Sequence, residues 1–386
     1  MKAERTKHAL SQPNGTKLVL VLLALGGTLT FLAFSVWSPQ NSMANEPDPN
    51  APSEPVVSSG PMPITEVPYT ITESGSYCLI QNLTHTDRYT NAITVDVNNV
   101  TIDLGGYSLI GPTTSYNDTC SGIYMDTCSN VEIRNGTITN FPNRGIFRDN
   151  SGQFYVGGGN RIISVRVTMI GAEGIFMNGL YSTIRNCTVT NTQLELDQGL
   201  GGITCAHFSL VTGNVVSNHR IIGIRVRMGC MVRDNTISDC SYGIIPEDGC
   251  SIIDNTIFST FDGISIFDSS GCLIRGNTVR ECDRNGINIE GLDNAIESNL
   301  VTSCEVGINF LYGQNVYANN RALFNGTNYG GQVPTGVYDG GGNIGAGTFV
   351  GGNVRANLQL NATSSSLKKF DRLSDNEVGL QPLKNK

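Results

Sequence analysis

A repeat of 20 to 23 residues constrains this chain more than any other feature of its sequence. A Gly-Ile pair recurs through residues 202–319, and half a repeat after each pair stands an Asn. The pairs begin at Gly202, Gly223, Gly243, Gly263, Gly286 and Gly307, and the Asn column comprises Asn214, Asn235, Asn255, Asn277, Asn299 and Asn319. A fixed period of this size indicates a solenoid with one coil per repeat.

The segments within each repeat predict the kind of solenoid. They are too short, and too rich in Ile, Val and Thr, to form helices. A leucine-rich repeat has a similar period, but its leucine ladder is missing here. The Asn column fits a turn that needs a left-handed residue, with side-chain amides bonding along the stack. We therefore predict an all-β, single-stranded, right-handed parallel β-helix of about ten coils spaced about 4.8 Å apart.

Composition and charge agree with this architecture and limit the partners. The chain has 45 Gly and only 15% charged residues, which suits β structure with many turns. Its formal net charge is −8, and no basic stripe is visible, so we expect no nucleic-acid partner. The acidity also fits poorly with a strongly anionic polymer, unless a cation or a local group of Arg residues intervenes.

The 11 cysteines are periodic, which favours a buried ladder over a disulfide framework. Neighbouring positions on one ladder would have to pair selectively to form disulfides. Cys120 and Cys128 are the exception, because they flank a loop and could bridge in an oxidising compartment. The two predicted ladders contain Cys230, Cys250 and Cys272, and Cys240, Cys282 and Cys304.

The two ends of the chain lie outside the repeats. Residues 1–44 carry a basic start and the apolar run Leu18–Trp37, which predicts a hydrophobic helix, either a signal peptide or a membrane anchor. Residues 45–63 are a Pro-rich linker, and the β-helix with its N-terminal cap is assigned to 64–345. Residues 346–386 are a C-terminal cap and polar tail. Both interpretations of the N-terminus place the body outside the cytoplasm, secreted or held at the membrane.

The repeats resemble those of a known superfamily. The pattern GIxxxxxxxxxIxxNTI, and the entry segments VPYTITESGSYCLI (67–80) and NAITVDVNNVTIDLGGYSLIG (91–111), are similar to parallel β-helix repeats of the pectin-lyase-like superfamily, of the uncharacterised secreted bacterial type. The resemblance implies the fold. Members of the superfamily include polysaccharide lyases, glycoside hydrolases, uronan epimerases and phage tailspikes, so the fold does not choose among these activities.

Alternation within each Gly-Ile strand predicts one exposed face. The Ile points inward, so the second and fourth residues of the strand point outward. In the superfamily this face is the usual polysaccharide groove, and the resemblance implies a groove here. Tyr124, Phe147, Phe176 and Phe267 lie on the predicted face and could stack on sugar rings, or could pack under the long turns at 152–160 and 192–202.

The predicted face carries a first group of candidate residues near its start. Asp96, Asp126 and Asp149 stack one above another, and like charges at that spacing raise their pKa values or call for a cation. Three carboxylates suit Ca²⁺. The resemblance supports this, because calcium-assisted lyases of the superfamily hold an acidic metal site on such a face. The alternative is three solvated carboxylates at strand ends, and the register at Asp149 would point Arg148 inward.

A second group lies farther along the same face. Glu247 and Glu290 would be two coils apart, about 9.6 Å between Cα atoms, close to the carboxyl separation of inverting glycosidases. Asp268 lies one coil from Glu247, nearer the retaining distance. Arg227 could act as a lyase base, and the alternative is an ion-pair ladder with Glu247. The predicted catalytic residues are Glu247, Glu290, Asp268 and Arg227, and the predicted substrate-binding residues are Arg225, His207, Tyr124 and Phe176.

These observations lead to two functional expectations. The first is an exported or membrane-anchored enzyme that acts on polysaccharide as a lyase or glycoside hydrolase, with Ca²⁺ as the one cofactor considered. The second is a non-catalytic surface protein that binds carbohydrate or adheres through a rigid solenoid. An enzyme should show converging acid, base or metal ligands in a cleft. A structural protein should show a flat face of paired charges.

Overall fold

Short parallel strands wind into a solenoid through the larger of two units of the chain, Ser59–Lys386. In the computed structural model, the described residues are 8–11, 17–25, 28–36, 60–112, 118–149, 157–192, 201–331 and 338–345. Each coil contributes a strand to three faces, called sheets 1, 2 and 3 below. Every strand pairing in the described part of this unit is parallel.

Sheet 1 is the sheet of the Gly-Ile pairs. Its twelve strands exceed the ten coils predicted from the sequence, because the period also holds in the coils before residue 93 and after residue 319. The strands are Tyr69–Ile71, Ile93–Val95, Ile123–Met125, Ile146–Arg148, Ile175–Met177, Gly201–Cys205, the second parts of Val215–Val226, Thr236–Pro246 and Thr256–Ile266, and then Asn285–Ile289, Val306–Phe310 and Thr327–Gly330.

Sheets 2 and 3 follow sheet 1 in each coil. Sheet 2 comprises Met62–Ile64, Gly75–Leu79, Val100–Asp103, the first parts of Val131–Thr139 and Arg161–Ile170, Thr183–Arg185, Leu210–Thr212, Met231–Arg233, Ser251–Ile253, Leu273–Arg275, Ala295–Glu297, Val316–Ala318 and Tyr338–Asp339. Sheet 3 comprises Leu83–Thr84, Ser108–Ile110, the second parts of Val131–Thr139 and Arg161–Ile170, Thr188–Thr192, the first parts of Val215–Val226, Thr236–Pro246 and Thr256–Ile266, Thr278–Cys282, Leu300–Thr302 and Arg321–Leu323.

Inward-facing aliphatic residues fill the solenoid. Ile123, Ile146, Ile175 and Ile203 are in register on successive strands of sheet 1 and are fully buried. The Gly before each Ile is required because its missing Cβ would point inward. At Gly223 a Cβ would lie 2.6 Å from the Ile237 side chain and 2.8 Å from the Gly243 carbonyl. The repeated Gly-Ile pair therefore marks a close approach of sheet 1 to sheet 3.

A buried Asn ladder at the turn from sheet 2 to sheet 3 is confirmed, with two corrections. Each Asn accepts the backbone N–H and the side-chain N–H of the Asn one coil before, as Asn255 does from Asn235, both at 3.0 Å. The ladder continues through Asn320, not the predicted Asn319. The left-handed residue is the one before the ladder Asn, such as Asp254, because the ladder side chain must turn inward.

The cysteines form ladders rather than bridges. Cys230, Cys250 and Cys272 are buried thiols in the turn from sheet 1 to sheet 2. That column continues into Asn294, whose side chain accepts the Cys272 N–H at 2.8 Å. The bridge considered between Cys120 and Cys128 is not formed, and both are free thiols.

The N-terminal unit, Met1–Ser58, differs from the predicted hydrophobic helix. Its strands His8–Ser11, Lys17–Leu25 and Thr28–Val36 pair antiparallel. The apolar run is divided between two nine-residue strands on either side of Gly26 and Gly27. An apolar run without polar alternation is compatible with a strand as well as with a helix. Within the residues that the structure describes, none belongs to a helix long and apolar enough to cross a membrane. Most of the predicted linker and all of 346–386 lie outside the described residues.

Candidate functional site on the outer face of sheet 1

The predicted outward columns of sheet 1 are in register. Phe147 pairs with Tyr124 and Phe176, and Thr204 pairs with Phe176 and Arg225. At the fourth position, Asp149, Glu247 and Glu290 each donate a backbone N–H to a carbonyl of the strand before. The outer face of sheet 1 therefore carries the predicted site residues on one surface, except Asp268 and His207, which lie in the turn that follows. Both long turns predicted to wall it fall mainly outside the described residues, at 150–156 and 193–200.

The three aspartates lie in one column but do not form a metal-holding group. Among the described residues, no three His, Cys, Asp or Glu side chains come together in a group able to hold a metal ion. Arg148 points inward and is fully buried, as the register at Asp149 required. Burial lowers its pKa, while the nearby charges of Asp126 and Asp149 act in the opposite direction. This guanidinium supplies positive charge beside two of the three carboxylates, and the calcium site stays a prediction.

The aromatic residues beside the aspartates pack on one another. Tyr124, Phe147 and Phe176 form an edge-to-face ladder with centroids 5.3 and 5.7 Å apart. The Arg144 guanidinium lies over the rings of Phe147 and Phe176, at 4.2 and 4.9 Å from their centroids. Cation–π contacts of this kind stabilise both partners. Tyr124 and Phe176 are thus half-buried members of a packed cluster rather than open sugar platforms.

Glu173 lies beneath Arg144 and was not predicted. Its carboxylate pairs with the Arg144 Nε and is 0% exposed. Among the described residues, Oε1 has no hydrogen-bond partner of good geometry, and the Thr204 side chain is a further group that acts to lower the pKa of Glu173. Burial raises the pKa of Glu173, and the charge and hydrogen bond of Arg144 act against that rise. A buried carboxyl with a raised pKa on a candidate binding face is a functional candidate on physical grounds.

The predicted catalytic carboxylates frame an aromatic ring. Glu247, Phe267 and Glu290 occupy the same position on three successive strands, so Phe267 lies between the two glutamates in the column. Phe267 is 36% exposed, and its ring contacts Tyr242 edge-to-face at 5.7 Å. Glu290 accepts a hydrogen bond from the Asn288 amide at 2.9 Å. Asp268 is not part of this column, because it follows Phe267 in a left-handed turn conformation.

Arg227 and Glu247 are adjacent in that column, but the ion-pair ladder considered for them is not seen. The ion pairs among the described residues involve neither side chain. Arg227 is exposed and Glu247 is half-buried. Arg225 is half-buried, and its charge acts against the rise that burial causes in the pKa of Glu173. His207 is in the turn after sheet 1, 6.1 Å from the Phe208 ring, and is not part of either cluster.

Asp262 is the centre of a second buried cluster that the sequence analysis missed. It is 0% exposed and pairs with Arg284, whose Nε donates to Oδ1 at 3.0 Å. The backbone and side-chain amides of Asn285 also donate to Oδ1, at 2.9 and 3.1 Å. The hydrogen bond to Asp262 raises the pKa of Arg284, and its guanidinium stacks 4.9 Å from the Phe261 centroid.

Glu173 and Asp262 share a sequence signal. Each stands immediately before a Gly-Ile pair, at Glu173-Gly174-Ile175 and Asp262-Gly263-Ile264. The same position in the other coils with a Gly-Ile pair is occupied by Ser121, Arg144, Gly201, Ile222, Tyr242, Asn285 and Val306. Strict alternation assigns this position to the core. The Gly interrupts the alternation. Tyr242 pairs with Asp262 and Ile244 pairs with Ile264, but the Gly residues between these two pairs are not paired. The side chain before it therefore faces outward.

Comparison with solved structures gives relatives at low identity. The catalytic domain of a GH87 α-1,3-glucanase mutant in complex with nigerose matches with 12% identity and a TM-score of 0.51, covering 90% of this chain and 88% of that one. A tailspike mutant of E. coli bacteriophage HK620 in complex with a pentasaccharide matches with 11% identity and a TM-score of 0.52, over 70% and 60% of the two chains. A mutant of a periplasmic alginate epimerase matches with 16% identity and a TM-score of 0.46, over 65% of each chain.

These matches show a shared fold. The chain spans less than two thirds of the tailspike and epimerase chains. No curated protein sequence matches it. The profile of the family described as "Right handed beta helix region" matches residues 70–237 and 173–323, which together make up more than half of the chain. With its parallel three-sheet solenoid, this chain belongs to the right-handed β-helix family.

Proposed function

We propose that the outer face of sheet 1 binds a polysaccharide, with a sugar ring stacked on Phe267. One observation carries the proposal: Phe267, with an exposed ring, occupies the position between Glu247 and Glu290 in one column of three successive strands. Aromatic faces accept the apolar face of a sugar, and carboxylates accept its hydroxyl hydrogens. Asn288 and Asn309, joined by a 2.8 Å hydrogen bond, add amide groups next to Glu290.

The relatives make glycans the first ligands to screen. The glucanase domain was solved with nigerose and the tailspike with a pentasaccharide. Their identities to this chain are too low to transfer a sugar or a linkage. Phe267 and its flanking carboxylates support the proposal independently of that likeness.

Binding is tested by electrophoresis of the full chain through native gels that contain soluble polysaccharides. We expect the wild-type protein to be retarded by at least one polysaccharide, and Phe267→Ala to lose that retardation. Phe208→Ala is the matched control, because Phe208 is also an exposed ring but lies in the turn after sheet 1. Retardation that Phe267→Ala leaves unchanged would remove the proposed stacking site. Circular dichroism confirms that each variant is folded.

Hydrolysis is the second candidate function, favoured by the spacing of Glu247 and Glu290. Two strand spacings separate them by about 9.6 Å at Cα, which suits an inverting mechanism. One carboxylic acid would protonate the glycosidic oxygen as the bond to the anomeric carbon breaks. The other carboxylate would take a proton from the attacking water. The sugar leaves with a free reducing end of inverted configuration.

A reducing-end assay on the retarding polysaccharide tests this step. Glu247→Gln and Glu290→Gln should each abolish new reducing ends while the retardation persists. NMR of the first product should show the inverted anomer. Binding without new reducing ends from the wild-type protein would favour the non-catalytic carbohydrate-binding interpretation. An unsaturated product that absorbs in the ultraviolet would favour a lyase.

We also propose that the body acts outside the cytoplasm. The basic start and apolar run of residues 1–44 support export, either with cleavage or with retention at the membrane. N-terminal sequencing of the protein recovered from its native host tests this. A mature N-terminus near residue 45 in a soluble extracytoplasmic fraction indicates a signal peptide, and an intact N-terminus in the membrane fraction indicates an anchor.

A further inference from the structure

A shallow cavity lies in the turn from sheet 1 to sheet 2, beginning three residues after Glu290. Its volume is about 480 Å³, and it is lined by Asp293, Asn294, Ala295, Gln314 and Val316. Small-molecule sites in proteins usually occupy about 300 to 1,000 Å³. The cavity belongs to two adjacent coils, because Ala295 and Val316 are paired in register.

The base of the cavity is rigid. Asn294 is buried, and its side chain accepts the Cys272 N–H at 2.8 Å and donates to the Ser269 carbonyl at 3.1 Å. Its amide also donates to Asn315 at 3.1 Å. Ala295 and Val316 supply an apolar surface, and Val316 is 40% exposed. A fixed floor with apolar atoms can receive the C–H face of a sugar without reorganising.

Two polar side chains of the cavity are available for a ligand. Asp293 and Gln314 are exposed, and in the described part of the chain neither side chain has a hydrogen bond or an ion pair. They are neighbours in adjacent coils, joined by the 3.0 Å bond from the Asp293 N–H to the Gln314 carbonyl. The carboxylate offers acceptors and the amide offers both a donor and an acceptor, which together match adjacent hydroxyl groups.

Asp293 and Gln314 occupy one turn position in successive coils. Both residues have positive φ, at 56° and 64°. The three preceding coils have Gly at this position, at Gly229, Gly249 and Gly271, with φ between 64° and 71°. Earlier coils carry side chains there, at Asn99, Asn130, Tyr181 and Phe208, also with positive φ. The turn thus accepts side chains, and two polar ones lie next to each other at this cavity.

We propose that this turn cavity, defined by Asp293, Ala295, Gln314 and Val316, binds an uncharged hexose unit. The Asp293 carboxylate disfavours a uronate, since the two like charges would repel each other. The inference rests on the proposed function for its ligand class, because the hexose would belong to a glycan that also reaches Phe267. The cavity would then be a second contact for a branch or an end of that glycan.

Saturation-transfer NMR of the full chain with the methyl glycosides of glucose, galactose and mannose tests the proposal. We expect transfer to at least one neutral glycoside and none to methyl glucuronoside. The double variant Asp293→Gly with Gln314→Gly should lose the transfer, while Phe267→Ala should keep it. The Gly substitutions relieve two positive-φ positions, so the melting temperature should be unchanged or raised.

Three results would overturn the inference. One is the absence of transfer from the wild-type protein to every neutral glycoside. Another is transfer that survives in the double variant, which would place the sugar elsewhere. Third, if Phe267→Ala abolished the transfer and the double variant did not, the sugar would bind to the outer face of sheet 1 and not in the cavity. Loss in the double variant, together with unaltered gel retardation in Phe267→Ala, would uphold the cavity and reject the proposed function.

Discussion

At the scale of single residues, Asp262 and Glu173 are distinguished by being fully buried although their side chains lie on the outer face of sheet 1. Each carboxylate is paired with an Arg one coil away. Asp262 has hydrogen-bond partners on both oxygens, whereas Oε1 of Glu173 has none of good geometry in the part of the chain that the structure describes. A satisfied buried charge contributes to a defined structure, and an unsatisfied one costs free energy. The two residues should therefore respond differently to mutation and to pH.

Asp262→Asn should destabilise the protein by about 2 to 3 kcal/mol. Removing one partner of a buried ion pair leaves the other charge uncompensated, and the effect is reduced because Arg284 is 40% exposed. The change is measured as a shift in the urea unfolding midpoint. Glu281→Gln is the matched control, since its pair with Arg280 is exposed on both sides. It should change stability by less than about 1 kcal/mol. Equal effects of the two substitutions would contradict the assigned role of Asp262.

Glu173 should make stability fall as the pH rises. Its pKa in the folded protein is raised above 4.5, so the folded state holds a proton that the unfolded state has lost. Stability from this group is present below pH 4.5 and declines as the pH rises through the folded pKa. Glu173→Gln should remove that decline in melting temperatures recorded from pH 4 upward.

Glu132 should affect the pH dependence of stability in the opposite direction to Glu173. The hydrogen bond from Arg161 holds the pKa of Glu132 below 4.5, so its stabilising effect is present above that pH and is lost as the pH falls. Glu132→Gln should flatten the acid side of the same melting profile. If Glu173→Gln and Glu132→Gln changed the same side of the profile, one of the two assignments would be wrong.

At the scale of elements, the Asn ladder fixes the distance between coils at the turn from sheet 2 to sheet 3. Asn277 accepts two hydrogen bonds from Asn255 at 3.0 Å and donates to the Ile252 carbonyl at 2.9 Å. It is 0% exposed, so water cannot replace these partners. Removing one ladder side chain leaves buried groups unsatisfied in two coils.

Asn277→Ala should cost at least about 2 kcal/mol, because several buried polar groups lose their partners at once. Urea denaturation followed by circular dichroism gives the change. Ser270→Ala, in a half-buried turn position of the same coil, is the control and should cost less than about 0.5 kcal/mol. A loss of stability in Asn277→Ala no larger than in Ser270→Ala would show that the ladder is not a stabilising element.

At the scale of the whole solenoid, the exposure of each thiol shows how well the interior is packed along its length. Ten of the 11 cysteines are buried and free, and Cys78 is half-buried. Burial raises the pKa of Cys187 to about 11, which keeps it in the unreactive thiol form. The columns of thiols thus act as small apolar core residues of a single continuous interior.

Native labelling with iodoacetamide should modify Cys78 and spare the ten buried thiols. Mass spectrometry after proteolysis identifies the modified residues. After denaturation without a reductant, all 11 should be labelled. Fewer than 11 labels in the denatured protein would reveal a disulfide, and rapid native labelling of Cys230 or Cys250 would contradict the packed interior.

The sequence by itself determined the solenoid, because its causes are local. The spacing of Gly-Ile pairs sets the coil length, and alternation around each Ile assigns the core and the outer face. The register of Tyr124, Phe147 and Phe176, and the column of Glu247 and Glu290, followed from those two facts. The Cys and Asn ladders could be read in the same way, apart from the single-residue error at Asn319.

The tertiary structure alone decided which side chains meet. Asp262 and Arg284 are 22 residues apart, and their contact depends on the length of the turns in the coil between them. Strict alternation would place Glu173 inward, and only the interruption of pairing at the Gly brings it to the outer face beneath Arg144. The cavity at Asp293 and Gln314 exists because two coils stack at a turn. Contacts between coils depend on register and turn geometry, which a local pattern of apolar residues does not contain.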